Sequence, residues 1–305
     1  MLLKTEIKLA GHITALVTRS DGSLKTREDF HNLITDVGMD ALGNYSMTDA
    51  GSGPKVGSGT TAPTFADTDL EAEITGAATP ISSTFSHNSG AGGQWIVYYT
   101  RVFTYAPGQI IGTVSEVGFF GTSGMFSRAL VTDFEDEITS VVVLEDESLT
   151  IVYEQRKVVP NTDYSATITT EESDDYDYTI RAIGVDNAET YNYWSPDQEV
   201  FQSTASALET DVLADQDSYP GGADDNANGY SYLTYVPGSY ESLTNFNWVP
   251  TNAIFTSGIG SITFCITYSP NPSASAGFQC NFSPKIPKTD EDALDITFSV
   301  SWSRA

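Results

Sequence analysis

The chain has 305 residues, 40% of them hydrophobic and 11% aromatic, which excludes a disordered polymer and leaves enough apolar material for two cores of ordinary size. Lysine and arginine number 14 against 41 aspartates and glutamates, a net charge of −27, so the surface repels nucleic acid and anionic membranes. The opening Met1-Leu2-Leu3-Lys4-Thr5-Glu6 places an acid where a secretory signal needs an apolar stretch, and no apolar run reaches membrane-spanning length. The expectation is folding in a cytoplasm, with no membrane insertion and no nucleic-acid partner.

Ile7, Leu9, Ile13, Ala15 and Val17 alternate with polar residues, the period of a half-buried strand. Asp21-Gly22 supplies a tight turn, and Ser23 to Phe30 returns as the hairpin partner. Asn32-Leu33-Ile34-Thr35-Asp36-Val37-Gly38-Met39-Asp40-Ala41-Leu42-Gly43 then predicts one short helix near residues 35–43, capped by Thr35 or Asp36 and ended by Gly43. Val56-Gly57-Ser58-Gly59-Thr60-Thr61-Ala62-Pro63-Thr64 reads as a loop leading to the acidic ledge Asp67-Thr68-Asp69-Leu70-Glu71. Trp95 to Phe103 is dense in aromatic and branched residues and predicts a strand; Ile110–Phe120, Met125–Val131, Ile138–Leu144 and Leu149–Lys157 continue the set. On Glu116-Val117-Gly118-Phe119-Phe120, Glu116 is expected to form a structural ion pair with Arg101 or Arg128.

These segments resemble the N-terminal part of many tailed-bacteriophage virion proteins. There an N-L-I-T-x-x-G-x-x-x-L-G segment precedes a V-G-x-G-T-x-x-P-x-x-x-D-T-x-L segment, then an E-[IV]-G-[LF]-[FG] strand and L-[FI]-x-R. The likeness covers roughly residues 28 to 157. It implies a structural role in a virion, in the tail or a tail fibre rather than the head, with the chain itself and other virion proteins as partners. Asn32, Asp36, Gly38, Leu42, Gly57, Gly59 and Pro63 are then the residues expected at assembly contacts, and Glu116 with Arg128 the expected ion pair.

Proline within Val159-Pro160-Asn161 ends a strand and sets a boundary between an N-terminal β-sandwich, residues 1–159, and a C-terminal β-rich domain, residues 160–305. Short strands punctuated by Gly, Pro, Asn and Asp predict an all-β fold: two antiparallel sandwiches, jelly-roll or Ig-like, with one helix. Glu147–Glu154 can be laid on Asp292–Ser299, which leaves a domain duplication open beside two unrelated strands. Tyr164–Thr169 and Tyr178–Val185 read as strands. Residues 186–250 read as long acidic, Tyr-rich surface loops, and strands resume at Ser261. Cys265 and Cys280 fall on a predicted hairpin whose two strands could face them toward each other, with free thiols expected in a cytoplasm.

No nucleophile elbow, phosphate loop, dinucleotide fingerprint or zinc-protease motif is present, and the three histidines, His12, His31 and His87, stand far apart in sequence. The expectation is a non-enzyme without cofactor. Asp215, Asp217, Asp224 and Asp225 fit either a solvated acidic loop or the opening of a calcium site, although Pro220 and a missing terminal glutamate depart from the standard loop. Tyr191, Tyr193 and Trp194 could anchor a protein partner, pack a small core, or stack on a host surface glycan. A capsid decoration protein and a carbohydrate-binding adhesin are the alternatives to a tail component.

Overall fold

The computed structural model describes residues 1–41, 43, 53–76, 78–88, 94–121, 123–160, 162–169, 174–183, 204–209, 211–215, 227, 229–251, 253, 255, 257–267 and 276–305. In chain order the first elements are β1 (Leu2–Thr18), β2 (Leu24–His31), β3 (Leu33–Ile34), α1 (Asp36–Ala41), β4 (Pro54–Gly57), β5 (Glu73–Ile74), β6 (Thr79–Asn88) and β7 (Gln94–Tyr105). They are followed by β8 (Gly112–Val114), β9 (Glu116–Gly121), β10 (Gly124–Leu130), β11 (Val141–Val143), β12 (Ser148–Pro160), β13 (Tyr164–Thr169) and β14 (Asp175–Ile183). The last are β15 (Thr204–Leu208), β16 (Gly229–Tyr232), β17 (Glu241–Trp248), β18 (Ile259–Thr267), β19 (Ala276–Ile286) and β20 (Leu294–Arg304). The fold is all-β and sandwich-like, with one short helix.

A main sheet of eight strands runs β16-β17-β20-β1-β12-β7-β6, with β2 also paired to β1. One half of it packs on the sheet β3-β10-β9-β4-β5, where Phe119 stacks on Tyr153 at 3.8 Å between ring centroids and lies 6.0 Å from Phe103. The other half packs on β13-β14-β19-β18-β15 through Phe264 stacked on Phe298 at 4.1 Å, with Phe278 and Phe246 alongside. The ribbon β8–β11 completes the first sandwich.

β1 belongs to both halves. Leu3, Ile7, Leu9, Ile13, Ala15 and Val17 fall on one face of a single alternating strand and all are buried. Along one edge, Leu2–Leu9 runs parallel to Thr297–Arg304 of β20, then His12–Thr18 runs antiparallel to β2; the opposite edge carries β12 from Lys8 to Thr18. The boundary expected at 159/160 therefore coincides with the end of β12 but not with a break in hydrogen bonding, because the C-terminal strand returns to pair with the N-terminal one. The two stretches that resemble each other, in β12 and β20, both flank β1, one antiparallel and one parallel to it.

Two expectations are corrected. The segment 186–250 was expected as surface loops, yet β15, β16 and β17 fall within it. β17 turns Ser242, Thr244, Phe246 and Trp248 inward, so two of its four buried positions are polar and the alternation is hidden. The two cysteine positions are not opposite each other: β18–β19 register pairs Cys280 with Ile262 and Cys265 with Gly277, three residues and about 10 Å of strand apart, a backbone separation beyond disulfide reach. Cys280 is a buried free thiol, and burial pushes its pKa up.

Deleting residues 1–10 removes three buried apolar side chains, worth about 1.5–3 kcal/mol each, together with the whole β1–β20 ladder. The second sandwich is expected to lose its cooperative melt by near-UV circular dichroism; an unchanged transition contradicts the shared-strand architecture.

Candidate functional site

The helix is set by Thr35. Its hydroxyl accepts a hydrogen bond from the Gly38 amide at 3.0 Å, an N-cap worth about 1 kcal/mol, and donates to the Met125 carbonyl at 2.5 Å. Gly38 lies so close to the Phe126 carbonyl that any Cβ would overlap it, so the helix packs on β10 through its backbone. The C-terminal strand then holds the helix. Arg304 bonds the Asp36 carboxylate at 2.6 Å and the Ile34 carbonyl at 2.7 Å while lying over the Phe65 ring, and the Trp302 indole donates to the Met39 carbonyl at 2.9 Å. Tyr240 donates to Asp36 at 2.9 Å, and Tyr235 to Asp40 at 2.6 Å. These bonds, that from Arg304 foremost, hold the Asp36 carboxyl below the usual carboxylate range despite its partial burial.

The segment from Gly57 to Ala72 is organised by one buried carboxylate. Glu116, at the start of β9 and fully buried, accepts from the Gly59 amide at 3.0 Å, the Ala72 amide at 2.8 Å, the Glu71 amide at 3.1 Å and the Arg128 guanidinium at 2.8–2.9 Å. Arg128, on β10, also bonds Asp67 at 2.7 Å and the Thr61 carbonyl at 3.1 Å. A Cβ at Gly59 would overlap Glu116 and Glu71, and one at Gly57 would overlap Glu116 and the Ala72 carbonyl, so both approaches require glycine. The Glu71 carboxylate accepts from the Thr60 and Thr61 amides at 2.8 and 2.7 Å.

Burial pushes the Asp67 carboxyl up, but hydrogen bonds from Thr64 and Arg128 together outweigh it and hold the group below its ordinary value. The Thr61 amide, ahead of smaller contributions, lowers Glu71 as well. The result is a loop whose base is locked by buried charge while Thr60, Thr61, Ala62, Thr64, Phe65 and Ala66 face solvent. Beside it, Asn32, Pro63, Arg128, Thr132 and the exposed Ile138 line a depression of about 340 Å³.

Six of the seven expected assembly residues are described, and they fall into one region. Asp36 and Gly38 sit on the helix held against the chain's own strands, Gly57 and Gly59 form the floor of the loop, and Asn32 and Pro63 line the depression. Asn32 also donates to the Tyr153 hydroxyl at 3.1 Å. Leu42, Tyr191, Tyr193, Trp194, Asp217, Asp224 and Asp225 lie outside the described residues, and Asp215 is exposed. Among the described residues no group of three or more His, Cys, Asp or Glu side chains is arranged to hold a metal.

Sequence reasoning did not bring His12 and His31 together, yet their rings meet edge to face at 5.4 Å across β1 and β2. The pairing follows from the hairpin register, which the turn Asp21-Gly22 could have suggested. Burial, then Arg156 and His31, lower the His12 pKa. Nor was Arg304 noticed as the helix clamp, because its partners lie 268 residues away. No protein-family model, curated protein or solved structure matches the chain.

Replacing Glu116 by Gln leaves Arg128 buried with one fewer carboxylate and is expected to destabilise the fold by about 3 kcal/mol, read as a lower denaturation midpoint. Because the folded Asp36, Asp67 and Glu71 carboxyls titrate below their unfolded values, their contribution is complete above about pH 5 and is lost as pH falls through the folded values. Amide exchange at Thr60 and Thr61 is expected to stay slow from neutrality to about pH 5 and to accelerate below it, relative to intrinsic rates.

Proposed function

We propose that the chain is a non-enzymatic structural protein of a tailed-phage virion, a tail or tail-fibre component acting through docking and self-assembly. One observation carries the reading. The segments that resemble virion proteins, dispersed from Asn32 to Arg128, converge on one hydrogen-bonded unit: the capped helix against β10, and the loop tied to Glu116 and Arg128. Such a convergence is what a likeness to a folded module requires.

The unit has the physics of a docking element. Its base is fixed by charge-assisted hydrogen bonds, so the exposed stretch Thr60–Ala66 is ordered before any partner arrives and little ordering entropy is lost on binding. The surrounding acidity keeps an abundant subunit soluble and turns nucleic acid away.

Ala62 and Ala66 are exposed on this loop. Changing both to Arg is expected to leave the melting temperature unchanged and to abolish incorporation into particles in a complementation assay. Immunoelectron microscopy of wild-type virions, with an antibody against residues 161–305, reads location: label on the tail supports the proposal, label over the head favours a decoration protein, and unlabelled particles overturn both.

A further inference from the structure

We propose that the outer edge of β6 is a self-association surface, pairing antiparallel with β6 of a second copy of this chain. β6 ends the main sheet, bonded to β7 from Thr79↔Thr104 to Asn88↔Ile96, and among the described residues no strand takes its other edge. The side chains of Thr79 through Thr84 and of Ser86 are all exposed, on both faces of the strand, with Ile81 61% exposed. A half-buried strand alternates between inside and outside; Thr79–Thr84 does not, so the second layer leaves both faces of this part of β6 uncovered. The unpaired N–H and C=O groups of such an edge template another strand.

Three other edges are obstructed. β2 carries Lys25, Arg27, Glu28 and Asp29. β13 has the carboxylates of Asp177 and Asp175 on its Thr167 and Thr169 hydroxyls, both at 2.6 Å. β15 has its Ala205, Ser206 and Ala207 side chains buried. Charged edges and buried strands resist edge-to-edge pairing, and β6 has neither protection.

Charge selects the occupant. Two copies at −27 repel wherever their acidic surfaces meet, but no Asp or Glu occurs between Glu73 and Glu116, a stretch that contains β6 and β7 entirely. A like copy can therefore approach here, whereas a basic partner would be drawn to the acidic loops. An antiparallel pair about a twofold axis is self-complementary, and with the axis at Thr84 it sets Thr84 against its own copy and Ser82 against Ser86 across the ladder. Pro80 and the register shift between Pro80 and Ser82 confine regular pairing to Ser82–Asn88. The product is one continuous sheet with eight strands from each copy.

This goes beyond the virion role, since β6 lies in a different sheet from the Glu116 loop and self-pairing needs no particle. Sedimentation equilibrium of the purified full chain over a concentration series is expected to show a monomer–dimer equilibrium. Ser82→Asp combined with Thr84→Asp places like charges across the junction and is expected to weaken the dimer at least about tenfold, with an unchanged melting temperature because both residues are exposed. A chain that stays monomeric throughout, or a dimer indifferent to the double substitution, overturns the inference. A monomer that labels particles overturns this inference alone, whereas a β6 dimer that never appears on particles overturns only the virion role.

Discussion

The ladder between Leu2–Leu9 and Thr297–Arg304 joins the two ends of the chain in parallel, and most of the remaining structure depends on it. β1 supplies buried side chains to one sandwich with its first half and to the other with its second, so neither core is complete without the same strand. Parallel pairing of the termini is a contact of maximal sequence separation, whose closure entropy must be met before any contact rewards it. The reward is concentrated at the end of β20, where Trp302 and Arg304, paired with Ile7 and Leu9, hold the helix and its entry through Met39, Ile34 and Asp36. The C-terminal strand thus orders the candidate docking region, 268 residues earlier in the chain.

The second constraint is electrostatic. Burying Glu116 and Arg128 costs several kcal/mol per ion, and one ion pair alone does not offset that. Here the carboxylate also accepts three backbone amides and the guanidinium reaches a second carboxylate and a carbonyl, so the charges are solvated by the fold. The amide donors all come from the segment Gly57–Ala72. The charge pair is stable only when the loop is in place, and the loop has no apolar reason to adopt its shape without the charge pair. That mutual dependence explains two glycines in a segment with almost no core residues.

Legibility in the sequence followed locality. The alternation of Ile7 to Val17 exposed β1 directly, and the N-cap at Thr35 was readable because cap and capped amide are three residues apart. Glu116 and Arg128 stood out because a charged residue within an apolar strand demands a partner, and they are in contact. What could not be read required either distant pairing or polar inward faces. β17 presents serine and threonine to the interior, and the run Thr79 to Thr84 has no apolar period because neither of its faces is buried. The cysteine hairpin was legible as a hairpin but not in register, because a three-residue offset leaves no trace in composition.

The distribution of acids sharpens the contrast between the two sandwiches. Glu73 to Glu116 and Glu241 to Asp290 bound two long stretches without any Asp or Glu in a chain that carries 41. The second stretch contains β18 and β19, the centre of their sheet, where Ile262, Phe264, Phe278, Cys280 and Phe282 are buried and desolvation alone forbids carboxylates. The first contains β6, where exposure removes that reason. A solvent-facing stretch free of acids departs from the general charge of a chain at −27. Contact with another surface that would otherwise be repelled supplies the physical ground for it.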